Sequence, residues 1–328
     1  MSGKRMMFRL FAAGVILCLA VIGYTVHEYR QLAKKWYVPI DGQVHNADGT
    51  AKDKGTQGNL PSSRDFLTGT VPLQPFLLLI LGVDSREGEN ARSDAMMLAA
   101  VNPANQSAYL ISIPRDSYLE IPGKGYDKVN HAMAYGGPRL VKQSLEGFLD
   151  IRIDRYVTVD FEGFRRIVDE LGGIQVEVKK RMKYSDPSDH TYIDLKPGLQ
   201  TLSGELALDY ARFRKSDLGG EDSDYQRIAR QQEIMQALAA EAVSVKALTS
   251  LYPLLDIVGE HVKTDLTEAE IASLLLSFAA SGENRVETDT LKGRDERIWH
   301  NGVLGWYHLV PREERQRVQK ELQQALKP

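Results

Sequence analysis

Cysteine is nearly absent: Cys18 is the only one in the chain. That excludes a disulfide framework and a cysteine-based zinc site. It suits a cytosolic protein, and equally an extracytoplasmic one that never needed bridges. The sequence also holds no Walker A loop, no H-E-x-x-H, no G-x-S-x-G and no cysteine nucleophile past the amino-terminal region, which removes several large enzyme classes. No run of five or more Lys/Arg occurs, and the net charge is −3, so nothing points to nucleic acid. Gly123 and Gly125 form a lone G-x-G without the strand-to-helix setting of a dinucleotide site. His300 and His308 have no acidic partner in helical register and read as structural or exposed rather than as ligands.

Long apolar runs are scarce too, with one exception that sets the compartment. After Lys4, Arg5 and Arg9, residues 10–26 (LFAAGVILCLAVIGYTV) are 17 residues without a charge, at the short limit of the ~17–25 a membrane helix needs. The run continues past the small residues around Cys18, so an uncleaved anchor over 10–27 is expected rather than a cleaved signal peptide. Arg30, Lys34 and Lys35 weaken the charge bias, but residues 1–9 are still expected in the cytoplasm and the rest outside the cell. Residues 27–37 suit either a short interfacial helix, with Tyr24, Tyr29, Trp36 and Tyr37 as headgroup anchors, or a simple spacer. Residues 28–74 as a whole read as a juxtamembrane segment and linker, and 38–74 lack periodicity, as a flexible tether does.

From residue 75 the composition is that of a globular domain, with 43% hydrophobic residues in the chain to build a core. Apolar runs at 76–83, 95–101 and 108–113 have strand length and are joined by short polar connections. Such connections favour antiparallel neighbours. The end of the first strand, the start of the second and the end of the third then share one sheet edge. That edge carries Asp84, Arg86, Arg92, Asp94, Arg115 and Asp116.

The remainder alternates. Residues 118–137 read as a loop with a short helix at 129–135, then a helix at 138–148, a strand at 153–159, a helix at 161–171 closed by Gly172-Gly173, and a strand at 174–178. Strands interleaved with helices indicate an α/β or α+β fold with helices covering the sheet. Residues 179–195 are polar and read as a solvated loop, their acids and His190 at no metal-ligand spacing. Ser203 caps a helix over 205–210, and Arg212 and Arg214, two apart, point to one side if the backbone is extended. Residues 224–242 form a clear helix. Asp224, Arg227 and Gln231 head the stripe that continues as Met235, Leu238 and Ala242. A helix so patterned starts over a polar cavity and ends in the core; the rival is a fraying surface turn with a local ion pair. Helices are expected at 245–258, 267–280, opened by a Thr267/Glu270 capping box, and 313–326, behind Pro311.

Arginine in excess over aspartate is phosphate chemistry, because the planar fork binds phosphate oxygens bidentately and stays charged. Two carboxylates among such arginines suit a Mg²⁺ ion that completes its shell with pyrophosphate oxygens and water. The rival reading has these groups pair internally and staple loops.

Four segments in order, LGVDSREGENARSDAMML, SIPRDSYLEIPGKGYDKVNHAMAYGG, GELALDYARFR and DYQRIARQQ, resemble the LytR–CpsA–Psr family. Within it the chain is most similar to polyisoprenyl-teichoic acid–peptidoglycan transferases of Gram-positive bacteria. The resemblance spans about residues 76–243. It implies an extracellular α/β/α domain on one transmembrane helix, with a central mixed sheet flanked by helices. Residues 75–243 would be the catalytic domain and 244–328 a helical extension packed on it. A hydrophobic pocket would hold the polyisoprenyl chain, and the reaction would move an anionic glycopolymer from the lipid pyrophosphate to a peptidoglycan hydroxyl. By motif, Asp84 and Asp94 would bind Mg²⁺ (or Mn²⁺), and Arg92 and Arg115 would clamp the pyrophosphate. Arg212 and Arg214 would join them, with Arg227 and Gln231 on the far side and Asp224 orienting Arg227. Lys128 and Arg86 would stand behind them. The cation and arginines would stabilise charge on the departing lipid pyrophosphate while Asp94 or Asp84 takes the hydroxyl proton. Ala95 stands where the family pattern expects threonine.

Overall fold

The computed structural model describes residues 37–39, 73–84, 92–187, 191–242, 251–279, 285–300 and 302–327. The elements begin with β1 (Phe76–Asp84), β2 (Arg92–Asn102), β3 (Ser107–Ser112), β4 (Tyr118–Ile121), β5 (Gly125–Lys128) and α1 (Val129–Leu149). They continue with β6 (Arg155–Asp160), α2 (Phe161–Leu171), β7 (Ile174–Val178), β8 (Met182–Asp186), β9 (Thr191–Leu195), β10 (Gly198–Leu202), α3 (Gly204–Arg212) and α4 (Asp224–Ala242). The last are α5 (Leu251–His261), β11 (Val262–Thr264), α6 (Glu268–Ala279), β12 (Arg285–Thr290), β13 (Arg294–His300), β14 (Val303–Leu309) and α7 (Arg312–Ala325). The anchor expected at 10–27 and the loop carrying Arg86 lie outside the described residues. Among those described, no helix is long and apolar enough to cross a membrane.

Six strands form the central sheet in the order β11-β6-β1-β2-β3-β12. β1, β2 and β3 are antiparallel neighbours, as their short connections require. β6 runs parallel to β1 and β12 parallel to β3, so the sheet is mixed. On one face Leu79, Leu81, Leu98 and Ile111 pack under α1 and α7 through Val141, Leu145, Val318 and Leu322. On the other, Phe76, Met97 and Leu110 meet Ile271, Leu274 and Phe278 of α6 and Met235 of α4. A third cluster joins α2, α3 and α4 to the β7–β10 and β8–β9 pairs. The result is three layers, α/β/α.

Several local expectations are corrected. Residues 118–128 form the β4–β5 hairpin, its turn made by Gly123 and Gly125 at positive φ. The two helices expected at 129–135 and 138–148 are one element, kinked where Gly136 and Gly137 leave helical geometry ahead of Pro138. The polar stretch 179–195 holds the β8–β9 hairpin, which buries Met182, Ile193 and Leu195 on one side and shows polar residues on the other. The extension at 244–328 is not helical alone: it supplies four strands, two of them the edges of the central sheet. The first part of the helix expected at 245–258 falls outside the described residues. Tyr37, read as a headgroup anchor, bridges Thr264 instead, and the Tyr156 hydroxyl donates to the Val38 carbonyl.

Local signals explain the elements that position the site. Asp160 caps α2 by accepting from the Gly163 N–H at 2.7 Å, and Gly172 closes it at φ 92°. Ser203 caps α3. Thr267 and Glu270 make the reciprocal capping-box bonds ahead of α6. Gly204 lets α3 lie on α2, since a Cβ there would sit 2.1 Å from the Arg165 carbonyl oxygen.

Candidate functional site

β1 ends and β2 begins at the same sheet edge, with Asp84 opposite Arg92. Their register breaks once: Gly82 pairs with Ala95 but Val83 pairs with Ser93, leaving Asp94 as the extra residue of a bulge. Bulges re-aim a side chain, and this one sends Asp94 toward the segment that follows β3. There Arg115 Nη1 donates to Asp94 Oδ1 at 2.7 Å. Gly82 permits the close crossing, a Cβ there lying only 3.2 Å from that of Ala95.

Asp94 and Arg115 border a cavity of about 450 Å³ between the sheet and helices α2, α3 and α4. Its walls divide by chemistry. Much of the lining is apolar, from Ile80, Val157 and Val159 of the sheet, Phe161, Phe164 and Ile167 of α2, and Ile234, Met235 and Leu238 of α4. The cationic part, with Arg115, Arg212, Arg214 and Arg227 joined by Gln231 and Asp94, lies where β2 and α4 start and forms the mouth. The sheet edge and the α4 head, far apart in sequence, thus form two walls of one space.

Each arginine is set by its neighbours. Arg227 is buried at 5% exposure, with Nη2 3.0 Å from Asp224 Oδ2. Burial lowers its pKa first; Asp224 opposes this, while Arg115 and Arg214 add to the lowering. For Arg115 burial likewise disfavours charge, but Asp94, then Asp116 and Asp224, outweigh it and the pKa is raised. Among the described residues the Nε of Arg115 and of Arg227 are buried without a hydrogen-bond partner, an expensive state unless an anion completes them. Arg212 is the last residue of α3, with its guanidinium 5.2 Å from the Phe161 ring centre. The extended backbone expected for Arg212 and Arg214 is therefore corrected, yet both reach the mouth.

Two supports escaped the sequence reading. Arg230, one turn past Arg227 and buried, is paired with Asp222 at 2.7 Å and donates to the Tyr210 and Phe213 carbonyls, pinning the turn that carries Arg212 and Arg214. Gln232 donates to Ser112 Oγ at 2.9 Å and to the Asp289 carbonyl at 2.7 Å, tying α4 to the ends of β3 and β12. The R-x-x-R spacing was the available signal for the first; the second has none.

Of the other expected residues, Arg86 lies outside the described residues. Asp224 orients Arg227 and, with Asp84 and Lys128, is not part of the cavity wall. Lys128 Nζ lies 2.7 Å from Asp116. Arg92 is placed by its backbone at the start of β2. His308 is buried with Nδ1 2.7 Å from Asp295, and His300 lies 3.9 Å from Asp127; both sit within the fold. Among the described residues no three carboxylate, histidine or cysteine groups gather as a protein-only metal cage.

Behind the mouth, Asp209 is 8% exposed and its carboxyl is pushed up to about 6 by burial and then by Glu205. It holds its proton more tightly folded than unfolded. The stability this gives is full below its usual value of 3.8 and is lost as pH rises through about 6. Asp209→Asn should raise the midpoint of thermal unfolding at pH 7.5 and leave it unchanged near pH 3.5. The gain is at most about 3 kcal/mol; melting curves across pH check it.

The family named LytR_cpsA_psr matches residues 43–324. A protein of Halalkalibacterium halodurans named polyisoprenyl-teichoic acid–peptidoglycan teichoic acid transferase TagU is 35% identical over 322 residues, 97% of this chain and 98% of that one. A structure titled TagT bound to LIIa-WTA superposes with a TM-score of 0.63 at 34% identity, over 77% of this chain and 91% of that one. Another, of the LytR-CPS2A-psr family protein YwtF (TagT) with bound octaprenyl pyrophosphate lipid, gives 0.59 at 32% identity, over 78% and 91%. The family match over residues 43–324 and a relative 35% identical over 97% of the chain decide the question: the chain belongs to the LytR–CpsA–Psr family.

Proposed function

We propose that this chain transfers an anionic glycopolymer, a teichoic acid or a related polymer, from a polyisoprenyl-pyrophosphate carrier to a sugar hydroxyl of peptidoglycan. One observation carries this: a single cavity has an apolar interior and a mouth of four arginines. That pairs a place for an isoprenoid chain with a place for its pyrophosphate. The relatives named for this transfer, and the relative holding octaprenyl pyrophosphate, support it.

The residues divide the work as follows. The apolar walls fix the lipid and so bring its pyrophosphate to the mouth. Arg115 and Arg227 grip it from opposite walls, with Arg212, Arg214 and Gln231 completing the ring and Arg92 and Arg86 joining from the β1–β2 edge. Asp224 orients Arg227, and Lys128 stands behind Asp116. The acceptor hydroxyl attacks the polymer-side phosphorus, the anhydride P–O bond breaks, and the lipid monophosphate leaves with the electron pair. The arginines, already in place, stabilise the charge that builds on that leaving group. Asp94 engages Arg115 through Oδ1, which leaves Oδ2 to accept the hydroxyl proton; Asp84 is the other candidate.

Two aspartates on one cationic edge fit a hard cation that shares its shell with substrate phosphate oxygens better than a cation caged by protein alone. Asp84 and Asp94 would hold Mg²⁺ or Mn²⁺, which supplies further positive charge to the pyrophosphate. Residues 10–27 would anchor the chain, with the amino terminus cytoplasmic and the catalytic domain outside.

The test is incubation of the full chain in detergent with a lipid-pyrophosphate-linked glycopolymer, peptidoglycan oligomers and Mg²⁺. The expected products are polymer joined to peptidoglycan and lipid monophosphate in equal amounts. Release of polymer to water at a rate indifferent to peptidoglycan would instead make it a hydrolase, and binding without turnover a carrier or regulatory protein.

A further inference from the structure

Next to the mouth lies a second built surface that the phosphate chemistry does not use. We propose that the outward face of the β4–β5 hairpin, walled by β13–β14, is the groove that binds the acceptor as a glycan strand of linked pyranose rings. This deepens the function proposed above and rests on it.

Register defines the floor. Tyr118 pairs with Lys128 and Glu120 with Tyr126, so these four share one face of the hairpin, while Leu119 and Ile121 enter the core. The stripe starts at the mouth, because Lys128 bonds Asp116, the neighbour of Arg115. It then runs outward over aromatic rings. Tyr118 stands 5.5 Å from Tyr126, and Tyr307 and His300 of the neighbouring hairpin stand 5.1 and 5.9 Å from Tyr118. Tyr126 remains 55% exposed, while Tyr307 is buried with Lys128 Nζ 5.1 Å over its ring. The open ring of Tyr126, backed by Tyr118, accepts the C–H face of a sugar, which meets the negative face of the ring.

Polar groups flank the rings on this face: Glu120 is exposed, and Lys128 is held by Asp116. These charges disfavour a bilayer as the occupant. Asp127, paired with Leu119, belongs to the hairpin's other face, where it accepts the Tyr135 hydroxyl at 2.8 Å and holds His131 Nδ1 at 2.9 Å. The apolar surface a bilayer would take is elsewhere: Trp299 and Trp306 lie on the face of β13–β14 opposite to His300 and Tyr307.

The experiment uses the full chain in detergent, with Tyr126→Ala and the pair Glu120→Ala/Tyr126→Ala. Chitohexaose is titrated and followed by intrinsic fluorescence, and the transfer assay is run against acceptor concentration. The expected result is saturable chitohexaose binding that weakens about tenfold in the single variant, in line with the loss of one stacking contact. The acceptor concentration for half-maximal transfer should rise by the same factor, with octaprenyl-pyrophosphate binding unchanged. Wild-type glycan binding and acceptor dependence in both variants would overturn the groove, as would a loss confined to binding of anionic vesicles. If no protein transfers polymer but the glycan titration behaves as expected, the groove stands as a glycan site and the transferase reading fails. If transfer is sound and the titration shows no binding, the groove alone fails.

Discussion

Arg227→Met should abolish measurable transfer, a loss of at least about 10²–10³-fold, while the folded protein should melt no lower than wild type. The two halves of this result have one cause. Arg227 is buried, and its charge is disfavoured first by desolvation and then by Arg115 and Arg214, with Asp224 giving only partial relief. Replacing a whole buried ion pair by apolar groups is commonly neutral or stabilising, whereas removing one partner is costly when the other charge is left buried. Here Asp224 is 24% exposed and keeps Arg214 at 3.9 Å, so its charge is not stranded. The deficit at Arg227 is what an incoming pyrophosphate satisfies. Arg115→Ala should lose transfer as completely, and Arg92→Ala should lose it with the fold intact. Arg115 differs in one respect: its pair with Asp94 already compensates it, so its removal also releases that carboxylate. Calorimetric unfolding beside binding of octaprenyl pyrophosphate separates the effects. Normal transfer by both the Arg115 and Arg92 variants would sink the site assignment; a large drop in melting temperature for Arg227→Met would show that this residue is structural.

What was legible in the sequence follows from where each signal resides. α4 is legible from its start at Asp224 because its stripe repeats over five turns, and the acid, arginine and amide at its head announce a polar space above it. The three strands of the sheet centre were equally plain, being apolar and joined by short polar loops. Strands whose apolar residues are few were not. β12 and β13, RVETDT and RDERIWH, carry too few apolar residues to signal strands, and β12 becomes a strand through parallel pairing with β3. Its Asp289 is also bound by Arg317 of α7 at 2.6 Å. Such partners lie far away in the chain, and no local pattern encodes them. The β8–β9 hairpin was hidden for a related reason, since only one of its faces is covered.

At the site the same division holds. That Asp94, Arg115 and Arg227 belong together was readable from charge in improbable places. That Asp94 is brought to Arg115 by a single-residue bulge was not, because a bulge is a fact of register, and register appears only when two strands are paired. Nor did the sequence disclose Arg230 as the clamp on the turn bearing Arg212 and Arg214, since its carbonyl partners have no side-chain signature.

The second large effect concerns the apolar interior. Leu238→Trp should cut transfer from a long polyisoprenyl carrier by about 10²–10³-fold, yet spare a carrier of two or three isoprene units. Leu238 is half-buried on the cavity wall near the end of α4, remote from the arginine mouth along the same helix. An indole there fills space rather than altering charge. If it displaces one five-carbon unit, at ~0.8 kcal/mol per buried methylene, about 3–4 kcal/mol of lipid binding is lost. A short carrier never reaches that depth and keeps its grip at the mouth, so chain length, not pyrophosphate affinity, should decide the outcome. Binding of diphosphate-bearing lipids of graded length to wild type and variant provides the measurement. A uniform loss at every length would mean that the substitution has moved the α4 head, and with it Arg227. No loss at any length would place the lipid outside this cavity.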